Sequence, residues 1–404
     1  MNEFAPRPSR RALLVSGGAL FAWPHIPAFA HAAGGRDPRL VVMVLRGAMD
    51  GLAAAPPLGD PQYAGLHGAL ALTRSGPAAA LALDGFFGLH PAMPQFARMY
   101  REKRALLVHA VATPYRARSH FDGQDVLESG QAGPGLVQTG WLNRAVGLLP
   151  PGQRVAPPKG LAVGVVTPLI LRGAAPVAGW RPAGNHEPHD DLATRLADLY
   201  AQSDKALETS LRQGLALDVI ARRETSALSK DGTDLAMRLP ARGAAKLIAT
   251  ADGPRIAALS FNGWDTHSNE GGAKGRLGQF LAGLDGVFEE FERGLGDVWK
   301  DSVVIAVTEF GRTARINGTS GTDHGTGTLC FLAGGALKGG RVLADWPGLG
   351  EAQLFERRDL APTTDLRAVL KGVLEGHLGL SPAALSKTVF PGSDAVRPMK
   401  GLLA

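Results

Sequence analysis

The chain has 404 residues, of which 45% are hydrophobic and 20% are charged, and its formal net charge is +6. This composition is typical of a globular protein and excludes an intrinsically disordered chain. The basic residues form no Lys/Arg block, so we predict a solvated surface and no binding to nucleic acid.

The first thirty residues have the pattern of an export signal. The pair Arg10-Arg11 precedes a short apolar stretch, 12–23, and Ala28-Phe29-Ala30 forms a small-residue cleavage site, with Ala30-His31-Ala32 as an alternative. Paired arginines before such a segment are typical of twin-arginine signals. The apolar stretch is too short for a membrane span, which takes about 20 residues. We therefore predict a twin-arginine signal over residues 1–30, the twin-arginine translocase as export partner, no stable membrane span, and a periplasmic or secreted mature protein.

Five unbroken apolar runs predict strands that are buried on both faces, as in parallel sheets. In chain order these runs are 40–45, 105–111, 255–261, 302–308 and 329–333. The last run contains the single cysteine, Cys330, which excludes an intramolecular disulfide. We interpret Cys330 as a small core residue, because a reactive thiol needs an activating base and partial exposure.

Helical patterns fall between these runs. Apolar residues repeat three and four positions apart over 277–295, which predicts an amphipathic helix. The other predicted helices are 91–102, 190–223 and 365–378. Strands that alternate with helices predict an α/β fold with a mostly parallel sheet.

A stretch rich in glycine and proline, 131–185, has weak periodicity. We interpret it as an elaborate loop or cap region and not as a separate domain. The predicted organisation is therefore one α/β domain over residues 36–404, with an insertion around 131–250.

Acidic and imidazole side chains occur where the predicted strands end. Asp50 follows the first strand, His120 the second, Asp265-Thr266-His267 the third and Glu309 the fourth, whereas Asp323-His324 comes just before the fifth. In open α/β sheets, ligands bind outside the carboxyl ends of the strands. We therefore expect four strands to deliver these groups to one edge of the sheet, and a fifth cluster to arrive there from a loop.

Oxygen and imidazole groups without thiolates suit Zn²⁺, Mn²⁺ or a harder cation. Asp265 and His267 are two positions apart, so an extended strand end places them on the same side. A second ligand set would come from Asp50, Glu309 and a hydroxyl. Two metals about 4 Å apart would clamp an in-line displacement at phosphorus or sulfur. We therefore predict one or two divalent metal ions, with Zn or Mn favoured.

Some of these residues also have simpler interpretations. Asp50-Gly51 is an ordinary turn signal, and Glu309 would form an ion pair with Arg312. His109 lies inside an apolar run and is interpreted as a core histidine, whereas His90 either orients a loop or lines the site.

Several motifs occur in the order in which a known family has them. They are LRGAMDGL (45–52), LDGFFGLHPAM (83–93), PYRARSHFDGQDVLESG (114–130), GWLNR (140–144), GWDTHSN (263–269), VTEFGRTARINGTSGTDHG (307–325) and GGRVLADWPGL (339–349). Through these motifs nearly the whole mature chain resembles the exported domain-of-unknown-function family 1501, which is grouped with the alkaline phosphatase and sulfatase superfamily. The resemblance implies a doubly wound, mostly parallel sheet with helices on both faces and a metal-dependent site at its carboxyl edge.

The resemblance also implies roles for individual residues. Asp265, His267 and His324 match the ligands of one metal. Asp50, Ser119 and Glu309 match the early acid, the nucleophile and the late acid of a second metal site. The motif positions depart from the superfamily in two ways. Ser119 lacks both the C/S-x-P-x-R pattern of sulfatases and the Asp-Ser-Ala setting of alkaline phosphatases. The usual late Asp-His pair reads Glu309-Phe310, so one ligand is either lost or replaced by His120.

Three arginines are candidates for binding an anionic ester, because a planar guanidinium suits a bidentate oxyanion. They are Arg312, Arg118 and Arg116. The resulting hypothesis is a metal-dependent hydrolase of phosphate or sulfate esters, acting on a small-molecule or glycan ester. Two alternatives remain open. One is a non-catalytic, metal-stabilised binding or envelope-assembly protein, and the other is a transferase that moves a phosphoryl-linked group.

Overall fold

The computed structural model describes residues 37–149, 159–182 and 233–404. The predicted signal over residues 1–30 and the predicted helix 190–223 lie outside these residues. None of the described helices combines the length and the apolar character needed to cross a bilayer.

The described residues form one main sheet and a small hairpin. The strands are β1 Arg39–Arg46, β2 Leu81–Ala82, β3 Gly88–Leu89, β4 Ala105–Ala112, β5 Gly160–Val163, β6 Val177–Trp180, β7 Ile256–Asn262, β8 Ser302–Val307, β9 Thr328–Ala333, β10 Arg341–Leu343 and β11 Thr364–Asp365. The main sheet has the order β10-β4-β9-β8-β1-β7-β5-β6, with β11 also paired to β4, and β2 pairs with β3 in the hairpin. All five predicted strands are confirmed, and they form the centre of this sheet.

The direction of β9 decides where the loop before it lies. The pairings of the main sheet are parallel except those of β9, which runs antiparallel to both β4 and β8. Its amino end therefore lies at the edge where the parallel strands have their carboxyl ends. The prediction of a mostly parallel sheet is confirmed.

Helices cover both faces of the sheet. They are α1 Gly51–Ala54, α2 Tyr63–His67, α3 Pro94–Arg101, α4 His120–Ser129, α5 Trp141–Leu148, α6 Thr233–Ala249, α7 Arg276–Leu295, α8 Leu366–Leu378 and α9 Pro382–Ala384. The predicted helices 91–102, 277–295 and 365–378 are confirmed as α3, α7 and α8, with boundaries that differ by at most a few residues. Helix α8 is capped at its N-terminus by Asp365, whose carboxylate accepts from Arg367 N, and at its C-terminus by Gly379 with φ 72°.

Alternate residues of β1 belong to two separate cores. Val41 and Met43 lie in the core that packs against α3, α6 and α7. Val42 and Val44 lie in the core that packs against α4, α5 and α8. The arrangement is the predicted one, with helices on both faces of the sheet. Cys330 lies fully buried in the second core, and burial raises the pKa of its thiol, as expected for a core residue.

The stretch 131–185 differs from its interpretation as a loop or cap region. It contains α5, and its strands β5 and β6 extend the main sheet beside β7. Each of these strands has four residues, and each contains a glycine, Gly160 or Gly179. Strands this short carry too few apolar positions for a periodic pattern, so the sequence did not reveal them.

Candidate metal centre

Three segments of the chain meet at the carboxyl edge of the sheet. His120 begins α4 after β4, and Asp265 and His267 follow β7. His324 precedes β9, and it reaches the same edge because β9 runs antiparallel to its neighbours. A parallel β9 would have placed His324 at the opposite edge.

The ligand atoms of these residues converge. His120, Asp265 and His324 each offer one ligand atom within 4.8 Å of the others. Asp265 Oδ2 lies 3.4 Å from His120 Nε2, and Asp265 Oδ1 lies 3.5 Å from His324 Nε2. His267 Nε2 lies 3.1 Å from Asp265 Oδ1 and 2.9 Å from His324 Nε2. Ligands about 2.0–2.1 Å from a tetrahedral zinc are about 3.3 Å apart, so the spacing fits such an ion.

Each of the three imidazoles is held through its Nδ1 atom. The acceptors are Glu309 Oε1, 2.8 Å from His120, Asp323 Oδ1, 3.2 Å from His267, and the Arg118 carbonyl, 3.0 Å from His324. An Nδ1–H that donates in this way leaves the lone pair on Nε2, which is the usual arrangement of metal-binding histidines. His120 Nε2 is buried and has no hydrogen-bond partner within the described residues. This orphaned acceptor and the converging lone pairs fit a bound cation.

The surroundings of the centre shift the pKa values of its three ligands in different directions. The bond to Glu309 raises the pKa of His120, whereas burial and the neighbouring His120 lower the pKa of His324. Burial alone would raise the pKa of Asp265, but the hydrogen bond and the charge of Arg312 outweigh it and hold that pKa below its ordinary value. Asp265 is therefore present as a carboxylate, the form that binds metals.

Glu309 supports His120 through a hydrogen bond. Its side chain is fully buried, and its Oε1 accepts from Gly47 N at 2.9 Å, His120 Nδ1 at 2.8 Å and Gln124 Nε2 at 3.1 Å. Burial would raise the pKa of Glu309, but these bonds lower it, so the group is a carboxylate. The proposed ion pair of Glu309 with Arg312 is replaced by the contact with His120.

The Arg312 guanidinium donates hydrogen bonds to other residues of the protein. It is 1% exposed, its Nη1 donates to Asp265 Oδ1 at 2.5 Å, and its Nε donates to Thr322 Oγ1 at 3.1 Å. Its Nη2 donates to the Thr322 carbonyl. The structure thus places Arg312 behind the ligand Asp265, where it orients that carboxylate.

The other two candidate arginines also have protein partners. Arg118 donates to Asp359 Oδ2 at 2.8 and 2.6 Å and to Glu356 Oε2 at 2.6 Å. Arg116 donates to the carbonyls of Thr113 and Tyr115. Both guanidinium groups hold loops at the edge of the site.

Ser119 occupies the N-cap position of α4, one residue before His120. Its backbone N–H donates to the Tyr115 hydroxyl at 3.2 Å, and its side chain makes no capping bond to the helix. The residue is half-buried. The helix start that places His120 therefore also places Ser119 beside it in the chain.

Asp50 lies in a different environment from the converging ligands. Its Oδ1 accepts from Ala53 N at 2.9 Å and caps α1, and its Oδ2 lies 3.8 Å from His67 Nε2. Asp50 Oδ2 and His67 Nε2 are both buried and have no hydrogen-bond partner within the described residues. The structure pairs Asp50 with His67, a residue that the sequence analysis did not single out and for which no motif gave a signal.

The remaining candidate histidines have structural roles. His109 is fully buried, its Nε2 contacts the Ala55 carbonyl at 3.1 Å, and its ring stacks on Phe87 at 5.2 Å. His90 is 1% exposed, and its Nε2 contacts the Gly272 carbonyl at 3.0 Å. The first is a core histidine, as predicted, and the second orients a loop.

One family model and several solved structures are similar to this chain. The family model described as "Protein of unknown function (DUF1501)" matches residues 37–389. Similar solved structures include Ps i-CgsB in complex with k-i-k-neocarrahexaose, at 10% identity over 90% of this chain and 77% of that one, with a TM-score of 0.41. A protein in the alkaline phosphatase superfamily from Vibrio parahaemolyticus matches at 12% identity over 90% and 71% of the two chains, with a TM-score of 0.41.

A third similar structure is the phosphonate monoester hydrolase of Agrobacterium radiobacter, at 10% identity over 85% of this chain and 74% of that one, with a TM-score of 0.34. A search of curated proteins found no match. The family model covers most of the chain, and the chain therefore belongs to the DUF1501 family of proteins of unknown function.

Proposed function

We propose that this protein is a metal-dependent hydrolase of phosphate or sulfate esters that acts outside the cytoplasm on a small-molecule or glycan ester. The observation that carries the proposal is the convergence of His120, Asp265 and His324 within 4.8 Å at the carboxyl edge of the sheet. Two imidazoles and a carboxylate are the protein ligands of some catalytic zinc sites, and His267 lies close enough to Asp265 and His324 to offer a further imidazole. Zn²⁺ is therefore the favoured ion, with Mn²⁺ as the alternative.

A divalent ion held there would polarise an ester oxygen and lower the pKa of a bound water. The residues of the chain supply position and charge. Arg312 fixes Asp265, and Glu309 fixes His120. Ser119 is the candidate nucleophile, since its hydroxyl lies at the start of α4, where the helix N-terminus stabilises an anion. Its Oγ would form a bond to phosphorus or sulfur as the bond to the ester oxygen breaks, and the proton lost from Oγ would leave on the alcohol. Water would then cleave the bond to Oγ, which would restore the serine hydroxyl and release the phosphate or sulfate.

Two observations favour a second candidate function, a metal-stabilised binding protein without catalysis. Asp50 and Glu309 make contacts within the protein and do not assemble a second ligand set. The candidate arginines 116, 118 and 312 are likewise bonded to protein groups. Fold alone does not decide between the two functions.

The test uses purified mature protein that is stripped with a chelator and reloaded with Zn²⁺ or Mn²⁺. Metal content is measured by mass spectrometry, and activity is measured with aryl phosphate, phosphodiester and aryl sulfate substrates. His324→Ala is expected to lose both metal and activity, whereas Asp345→Asn, a change at an exposed carboxylate, is expected to keep both. Bound metal with no activity on any substrate contradicts the hydrolase and supports the binding protein. Absence of bound metal contradicts both.

Export is a separate part of the proposal, and it depends on the Arg10-Arg11 pair. Replacement of both arginines by lysine is expected to retain the full-length precursor in the cytoplasm, because the twin-arginine pathway reads that pair. Cell fractionation measures the result. Normal export of the Lys-Lys variant would contradict the twin-arginine assignment and would leave the metal centre untouched.

A further inference from the structure

A buried chain of hydrogen bonds runs from Glu270 to the ligand Asp265. The Thr322 hydroxyl donates to Glu270 Oε2 at 2.8 Å, and Arg312 Nε donates to Thr322 Oγ1 at 3.1 Å. Arg312 Nη1 then donates to Asp265 Oδ1 at 2.5 Å. Glu270 and Thr322 are fully buried and Arg312 is 1% exposed, so water does not compete for the first two bonds, whereas the Asp265 side chain is 38% exposed.

The order of donors in this chain gives Glu270 a specific task. A threonine hydroxyl has one proton to donate and lone pairs to accept with. Because Glu270 accepts the hydrogen bond from the Thr322 hydroxyl, a lone pair of Thr322 Oγ1 faces the Arg312 guanidinium. Without Glu270 the hydroxyl would be free to rotate and to point its proton toward Arg312, which has only donors.

The position of the guanidinium sets the position of the Asp265 carboxylate. Arg312 holds Oδ1 of Asp265, and this leaves Oδ2 directed toward His120, 3.4 Å away. Backbone hydrogen bonds also join the two loops that carry the ligands. Glu270 N donates to the Ser320 carbonyl at 3.0 Å, and Thr322 N donates to the Thr266 carbonyl at 3.3 Å.

We propose that Glu270 is a positioning residue of the metal centre, which acts on Asp265 through Thr322 and Arg312. The inference rests on the proposed function in one respect, since it requires that His120, Asp265 and His324 bind a metal. Removal of a residue that orients a metal ligand typically weakens metal affinity by about 10- to 100-fold. Glu270→Ala is therefore expected to weaken zinc binding by about 10- to 100-fold.

The experiment measures the zinc Kd of folded, full-length mature variants by competition with a chromophoric chelator. Glu270→Gln keeps an oxygen acceptor for the Thr322 hydroxyl, so it is expected to bind zinc within about 3-fold of the wild type. Thr322→Val breaks the chain at its next link and is expected to weaken binding as much as Glu270→Ala does. The double variant Glu270→Ala/Thr322→Val is expected to be no weaker than either single variant, because both changes break the same chain.

The matched control is Glu290→Ala in α7. Glu290 is also buried, at 1% exposure, and is bonded to arginines, Arg238 and Arg242, but it belongs to the helix pair α6 and α7. This variant is expected to lose stability while it keeps the wild-type zinc Kd. Circular dichroism of each variant verifies that it is folded.

The outcomes separate this inference from the proposed function. If the wild-type protein binds zinc and Glu270→Ala binds it with the same Kd, the positioning role is overturned and the metal centre is not. An equal loss of zinc affinity in Glu290→Ala also overturns it, because the effect would then follow from general destabilisation. A wild-type protein that binds no zinc or manganese overturns both.

Discussion

Replacing Glu309 with alanine removes the acceptor that holds His120 in place. The fully buried carboxylate accepts from Gly47 N at 2.9 Å, His120 Nδ1 at 2.8 Å and Gln124 Nε2 at 3.1 Å. A buried donor that loses its acceptor costs about 1–3 kcal/mol. His120 and Gln124 are half-buried and would turn toward water, so the largest cost falls on the Gly47 N–H. We expect Glu309→Ala to lower the free energy of unfolding by about 2–4 kcal/mol, from these unmet donors and the lost packing.

The same change acts on the metal centre. Without an acceptor at Nδ1, the His120 ring loses both its orientation and the tautomer that leaves the lone pair on Nε2. We expect the zinc Kd to rise by about 10- to 100-fold. Glu309→Gln keeps one oxygen acceptor at the same place but removes the charge. Its expected cost in stability is about 1 kcal/mol, with a zinc Kd between those of the wild type and the alanine variant.

Urea denaturation followed by circular dichroism measures the stability of the metal-free proteins, and chelator competition measures the zinc Kd. Glu351→Ala, a change at an exposed carboxylate, is the control and is expected to alter neither quantity. A Glu309→Ala protein with the wild-type zinc Kd would refute the reasoning that Glu309 holds His120 for the metal. Wild-type stability in the same variant would refute the assignment of its hydrogen bonds.

Two further predictions concern the loop after β1 and the α6–α7 pair. Gly47 has φ 122°, and a Cβ there would lie 2.5 Å from Asp265 N. Gly47→Ala is therefore expected to displace the Asp265 backbone, to lower the free energy of unfolding by about 2–4 kcal/mol and to weaken zinc binding. Gly65→Ala, in open space on α2, is the control and is expected to be neutral or stabilising in denaturation and chelator assays. Burial would raise the pKa of Glu290, but its arginine bonds outweigh burial and lower that pKa from 4.5 to about 2. The stability that this carboxylate contributes is therefore complete above pH 4.5 and is lost as the pH falls toward about 2. The difference in unfolding free energy between the wild type and Glu290→Gln is expected to shrink over that pH range. A difference that stays constant with pH would contradict this prediction.

The sequence by itself determined the elements of the fold that depend on local pattern. The buried runs predicted β1, β4, β7, β8 and β9, and the amphipathic repeat predicted α7, because both signals come from residues close together in the chain. The motifs indicated the family that the family model shows. Short strands such as β5 and β6 escaped detection, since their pairing partners, and not their own residues, define them.

Only the tertiary structure decided which candidate residues meet. Asp50 and His120 both follow buried strands, yet Asp50 caps α1 beside His67, whereas His120 faces Asp265. His324 joins them because β9 pairs antiparallel with β4 and β8, a choice that no run of apolar residues encodes. The physical reason is that strand direction and side-chain direction are settled by hydrogen bonds between segments far apart in the chain. The sequence thus predicted that the candidate ligands lie at one edge of the sheet, and the long-range strand pairings determine which of them converge.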